Sequence, residues 1–187
     1  MPYGKSVTCA LFAVAALLVP TLPVSAAEFD INASVARVLE LTNMERQRAG
    51  VPPLTLSSEL SSAAQGYSQV LAESGCFAHT CGPVPRFTDR IDLAGYTGFT
   101  AVAENIAAGF ATPESVVDGW MGSEGHRANL LSPKYSEIGI GVATGAGPYG
   151  TFWTQDFGSR HFAPPSPAPE PAAAAPDPAP DDAPDGD

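Results

Sequence analysis

Basic residues are scarce in this chain: nine Lys and Arg stand against 20 Asp and Glu, for a formal net charge of −11 over 187 residues. Neutralising nucleic-acid phosphates calls for a basic face, so DNA and RNA are not expected partners. Cysteine is limited to three residues and histidine to three. Long apolar runs are also lacking. The longest, over residues 7–19, is well short of the ~20 residues of a membrane-spanning helix. An H-E-x-x-H helix is absent, which removes the zincin proteases. Ser123 lies in Met-Gly-Ser-Glu-Gly, not in the G-x-S-x-G elbow of a serine hydrolase. The Gly-rich stretch 139–150 has no G-K-[ST] for a nucleotide. No internal repeat is visible.

What is present divides the chain into three. Lys5 followed by the apolar run and by Val24-Ser-Ala26 or Ser25-Ala-Ala27 has the layout of a secretory signal peptide, with cleavage expected near Ala26 or Ala27. The expected location is therefore secreted, extracellular or cell-envelope, without a stable transmembrane anchor. Residues 164–187 comprise nine Pro, seven Ala, six acids, one Ser and one Gly. Nothing there can bury enough surface to offset ordering entropy, so a disordered acidic tail is expected. Residues 28–163 form one domain, with 14 acidic and eight basic residues, a net of −6. Cys9 falls in the signal, which leaves Cys76 and Cys81 to form one disulfide in an oxidising compartment. Closing so short a loop restricts the unfolded chain by only about 2 kcal/mol. Its greater effect is to brace the backbone that carries His79.

Asn32 is the expected N-cap of a helix over 33–49, with Arg46 and Arg48 complementing the dipole at its end. The clearest helical period is Leu60, Ala63, Ala64, Tyr67 and Leu71, within a helix over 59–74 opened by Ser57 or Ser58 and closed by Gly75. Pro83 and Pro85 precede a short helix over 86–94. Residues 102–108 fit a short strand or an irregular segment. Thr112-Pro113-Glu114 opens a helix to about Met121. Ile138, Ile140 and Val142 alternate with small residues in a strand over 135–144, and a second strand over 151–157 pairs with it as a hairpin. Helices early and a hairpin late indicate an α+β layered domain. Tyr67, Trp120 and Trp153 are assigned to the core, Arg127 and Asn129 to structural bonding, and His161 to no role.

The centre of the chain is Trp120-x-x-Ser123-x-Gly-His126-Arg-x-Asn129-Leu-Leu, with His126 expected in a turn between helix and strand. In order along the sequence stand Phe77-Ala-His79, Gly95-Tyr96, Ala103-Glu104-Asn105-Ile106-Ala107, this central motif, Ile138-Gly-Ile-Gly141 and Trp153-Thr-Gln155-x-Phe157. Six motifs in that order resemble a bacterial domain of the CAP superfamily (SCP domain), which takes in cysteine-rich secretory proteins, antigen 5 and plant pathogenesis-related proteins. The resemblance covers nearly all of residues 33–158.

That resemblance implies a three-layer α-β-α sandwich around a central antiparallel sheet, with a surface cleft that holds two His and two Glu in many members. His79, Glu104 and His126 match three of the four. Ser123 stands at the fourth position and Glu124 one residue beyond. Two imidazoles and a carboxylate can bind zinc or another divalent cation through His79 and His126, with Glu104 as the candidate catalytic base. Equally, these groups can bond one another and join three loops as a buried polar network. The resemblance further implies a non-catalytic binding module for a lipid, a sterol or an envelope component, with a metal-dependent hydrolase as the alternative.

Overall fold

The computed structural model describes residues 30–145 and 148–160. The expected signal peptide, its cleavage site, the acidic tail and His161 lie outside the described residues. Nine elements follow in order: α1 (Ile31–Arg48), β1 (Thr55–Leu56), α2 (Ser58–Ser74), α3 (Phe87–Leu93), β2 (Phe99–Ala108), α4 (Pro113–Gly122), α5 (Glu124–Leu130), β3 (Glu137–Thr144) and β4 (Thr151–Arg160). No helix among the described residues is long and apolar enough to cross a membrane.

The strands form one sheet in the order β1-β3-β4-β2. β4 pairs antiparallel with both β3 and β2, and the two-residue β1 joins β3 in parallel. Register sorts the side chains onto two faces. Glu104, Asp156 and Gly139 occupy one row, and Ile106, Thr154 and Gly141 another, on the face covered by α2. α2 lies directly on Gly139 and Gly141. A Cβ on either glycine would stand 2.0–2.3 Å from the α2 backbone at Leu60 and Ala64. The glycines that alternate with Ile138, Ile140 and Val142 are therefore the seat of a helix. On the opposite face Ala103, Trp153, Val142, Phe157 and Ile138 pack with Val38 of α1 and Val116, Val117 and Trp120 of α4. Helix, sheet and helix thus form the expected three layers.

Several boundaries differ from the sequence-based expectation. Asp30, not Asn32, caps α1: its Oδ1 accepts from the Ala33 amide at 3.0 Å. A carboxylate bonds the first-turn amides while answering the positive end of the helix dipole. Residues 102–108 are regular strand, and β2 begins earlier, at Phe99. His126 sits on a short helix, α5, and not in a turn. Ser123 is extended there, and its carbonyl accepts from the Arg127 amide at 2.9 Å, which starts the new helix at once. Arg46 also differs. It is fully buried, and its guanidinium donates to the carbonyls of Pro52, Leu130, Ser132 and Tyr135 at 2.7–3.2 Å. Burial without a carboxylate partner lowers its pKa.

Candidate ligand cleft

β2 is an edge strand, and the cleft runs along it. α2 ends at Gly75, whose left-handed φ of 65° returns its amide to the Leu71 carbonyl and turns the chain back over the helix. The next six residues are closed by the Cys76–Cys81 disulfide. Tyr67, on α2, fastens this loop from below: its hydroxyl donates to the Ala78 carbonyl at 2.5 Å and accepts from the Cys81 amide at 3.0 Å. Tyr67 is core, as its spacing indicates, and it also fixes the position of His79.

His79 and Glu104 meet as expected. His79 Nδ1 lies 2.8 Å from Glu104 Oε1. The other oxygen, Oε2, accepts from Arg90 of α3 at 2.6 Å. Sequence reasoning passed over Arg90, which is central to the site. Its guanidinium lies 3.4 Å from the Tyr67 ring centroid in a cation–π contact. It also donates to the carbonyls of His79, Val84 and Pro85. One side chain thus ties the disulfide loop, α3, α2 and β2 together. The Glu104 side chain is 1 % exposed and that of Arg90 10 %, whereas His79 is 51 % exposed. The pair is a buried ion contact roofed by an open imidazole.

Asp156 was also overlooked. It faces Glu104 across the β2–β4 ladder, it is 1 % exposed, and its Oδ1 has no hydrogen-bond partner among the described residues. Burial raises its pKa well above the usual carboxylate range, the charge of Glu104 adds to that rise, and Arg90 opposes it. A carboxyl whose folded pKa is raised binds its proton more tightly folded than unfolded. Stability therefore falls as pH climbs from about 4, the unfolded value, toward the folded pKa, by at most about 1.4 kcal/mol per pH unit. Asp156→Asn removes this titration. Urea unfolding between pH 4 and 8 is expected to show a flatter profile for the variant. Parallel profiles would show that Asp156 titrates alike in both states.

His126 enters the cleft from the other side. Its backbone carbonyl accepts from Asn105 Nδ2 at 3.2 Å, and Asn105 Oδ1 accepts from Asn129 Nδ2 at 2.9 Å. Asn129 therefore bonds a side chain and not turn backbone. Arg127 donates to the Met121 carbonyl, the structural role expected of it. The imidazole of His126 is held below its usual pKa, first by burial and then by the neighbouring His79, so it is neutral at pH 7. Ser123 lines the same recess as His126. Glu124 is exposed in the first turn of α5.

Two hollows lie along β2. Near Val102–Glu104, a groove of about 440 Å³ is lined by His79, Phe87, Glu104, Asn129 and Tyr135. Near Ile106–Ala108, a recess of about 250 Å³ is walled by Phe77, Phe110, Trp120, Ser123, His126 and Tyr149. Phe77 and Tyr149 at its rim are 5.8 Å apart and about half exposed. The donor set does not make a three-ligand metal centre. Both oxygens of Glu104 are engaged, and among the described residues no three His, Cys, Asp or Glu side chains are placed to hold one ion. Catalytic zinc takes three protein ligands.

Residues 39–157 match the sequence model of the Cysteine-rich secretory protein family, CAP. YkwD of Bacillus subtilis, an uncharacterised protein, is 38 % identical over 135 residues, which cover 71 % of this chain and 50 % of YkwD. YlbC of the same organism, an uncharacterised membrane protein, is 32 % identical over 124 residues, which cover 66 % of this chain and 34 % of YlbC. The chain thus spans half or less of the curated relatives it matches. A crystal structure of an extracellular SCP-domain protein from Bacillus anthracis superposes with a TM-score of 0.63 at 30 % identity, covering 70 % of this chain and 41 % of that one. An outer surface protein of Borrelia burgdorferi shares the fold alone, with a TM-score of 0.64 at 20 % identity over 71 % of this chain and 97 % of that one.

Proposed function

The chain belongs to the CAP family, and from that premise we propose that it is an extracellular or cell-envelope binding module, not an enzyme, whose cleft takes a lipid-like ligand. The observation that carries this reading is the aromatic recess beside the imidazoles, and the state of Glu104 counts against the hydrolase alternative in which Glu104 is the base. A general base needs a free oxygen within reach of a proton to abstract. Here one oxygen is bonded to Arg90 and the other to His79, and the side chain is buried. The cleft presents an aromatic recess beside the open edge of His79 and the neutral ring of His126. Such a surface orients an amphipathic molecule, with its apolar end against Phe77, Phe110 and Tyr149 and its polar end toward the imidazoles. The recess of about 250 Å³ admits part of an acyl chain or a ring. Extracellular placement is supported by the relative from B. anthracis.

Trp120 lines the recess and reports on occupancy. Titrating the delipidated full chain with monolauroylglycerol is expected to change tryptophan emission saturably. A Phe77→Ala/Tyr149→Ala variant should bind at least about tenfold more weakly, since the loss of two aromatic contacts exceeds the 1.4 kcal/mol per decade of affinity. Glu104→Gln should retain the ligand. No saturable change in the unsubstituted chain would defeat the reading. Zinc is proposed only as a weak contact of His79 and His126, read by calorimetry against a His79→Ala/His126→Ala variant.

A further inference from the structure

The main chain of β2 offers a kind of contact that the aromatic recess does not use. β4 alternates its main-chain groups between its two neighbours. Gly145 donates to the Gly150 carbonyl at 2.8 Å and Ser136 to that of Gly158 at 3.0 Å, so Phe152, Thr154, Asp156 and Gly158 face β3. Gly109 donates to the Thr151 carbonyl at 2.9 Å, so Trp153, Gln155 and Phe157 face β2, opposite Ala107, Asn105 and Ala103. The alternate residues Val102, Glu104 and Ile106 therefore turn their N–H and C=O away from the sheet. We propose that a neutral peptide in extended conformation pairs with this edge at Val102 and Glu104, as a further strand lying in the groove of about 440 Å³.

The groups at this edge are bare where the rest of the sheet is answered. On β3, Gln65 of α2 bonds both the N–H and the C=O of Val142, at 3.1 and 2.9 Å, and the Ser57 amide bonds the Ile138 carbonyl. On β2, the Trp120 indole donates to the Ile106 carbonyl at 3.3 Å. The main-chain N–H and C=O of Val102 and Glu104 have no partner among the described residues. They are also within reach. Glu104 as a whole is 6 % exposed but its side chain only 1 %, so the surface it shows is main chain, and Val102 is half-buried. Nothing blunts the edge at these two residues. Neither is Pro or Lys, and the Glu104 carboxylate is turned to Arg90 and His79. The bulge between Phe99 and Ala101 ends the regular edge just ahead of them. Two donors and two acceptors, set one strand repeat of about 7 Å apart, match the main chain of another strand. An acyl chain or a sterol has too few polar groups to answer all four. Phe87 and His79 wall the groove toward α2 and α3, and Tyr135 and Asn129 wall it on the opposite face. Alternate side chains of the added strand meet one wall and then the other, which favours apolar residues at both. The acidic domain gives an acidic peptide no long-range attraction.

The probe is the peptide acetyl-Thr-Val-Thr-Val-Thr-amide, read by amide NMR spectra of the full chain. The Val102 and Glu104 amides are expected to shift downfield saturably. Methylating the third and fourth peptide nitrogens removes a donor in every register and should weaken binding at least about tenfold. Methylating the second and fourth leaves one edge of the peptide whole and should change binding less than about twofold. Val102→Pro deletes one outward N–H and no bond to β4, and a severalfold loss is expected. Should Val102→Pro fail to fold, the methylated peptides carry the test on the unsubstituted chain. Phe77→Ala, in the aromatic recess, should leave peptide binding unchanged. The proposal is overturned if no saturable shift appears at Val102 and Glu104, or if adjacent and alternate methylation weaken binding equally. It is equally overturned if folded Val102→Pro binds like the original or Phe77→Ala abolishes binding. A free chain that is a dimer, with these two amides shifting on dilution, would assign the edge to a second copy and overturn it too. None of these results bears on monolauroylglycerol in the recess, so the two readings succeed or fail separately.

Discussion

Arg46→Met is expected to lower the unfolding free energy by about 4 kcal/mol, among the largest effects of any single side chain here. The guanidinium is fully buried and answers four backbone carbonyls, at Pro52, Leu130, Ser132 and Tyr135. Methionine fills much of the same volume but donates nothing. Each buried acceptor left without a donor costs about 1–3 kcal/mol, with water recovering part where it can enter. Set against the roughly 5–15 kcal/mol of a typical domain, this is a large share. Arg46→Lys should recover less than half, because a single ammonium cannot span what a planar fork spans. Urea unfolding with an unchanged m-value gives the measurement. A loss below about 1 kcal/mol would mean that the loops around residues 52 and 132 find other donors.

Gly141→Ala is expected to cost about 3 kcal/mol, although it adds one methyl group. Its Cβ would stand 2.3 Å from the Ala64 carbonyl carbon, and backbone cannot rotate away as a side chain can. The strand must bend or α2 must lift from the sheet, and overpacking of this kind costs about 1–3 kcal/mol or more. Lifting α2 also moves Tyr67, which anchors the loop of His79. The same variant should therefore weaken ligand binding without any contact to the cleft. Gly122→Ala is the matched control, since a Cβ there meets nothing within 4 Å. It should be neutral or slightly stabilising. Equal melting temperatures for the two variants would contradict the close seating of α2.

These residues also mark where sequence patterns suffice. α2 was legible because every local signal agrees: a Ser57 cap, a buried stripe from Leu60 to Leu71 and a left-handed Gly75. β3 was legible because Ile138, Ile140 and Val142 alternate with Gly139, Gly141 and Ala143. α5 escaped because its seven residues bury only Leu130, too little to print a period. The meeting of His79 with Glu104 followed from the motif resemblance. Arg90 and Asp156 left no comparable trace, because their roles arise from residues distant in sequence: Tyr67, Glu104 and the carbonyls of the disulfide loop. A carboxylate within the strand Thr151–Arg160, both faces of which are covered by helices, is the one anomaly that could have drawn attention to Asp156. Arg46 was assigned to the helix dipole because dipole complementarity is a local rule, and its carbonyl partners at Leu130, Ser132 and Tyr135 lie 84 to 89 residues away.

The strand order has a consequence for how the chain is made. β3 and β4 occupy the middle of the sheet, yet they are the last two of the described elements. α2 has no seat until β3 exists, and β2 has no ladder partner until β4 is complete. A growing chain that has released α1, α2 and β2 therefore holds amphipathic helices and a strand without the surface that would bury them. The packing of α2 and β2 on the sheet must therefore wait for β3 and β4, the last of which ends at Arg160.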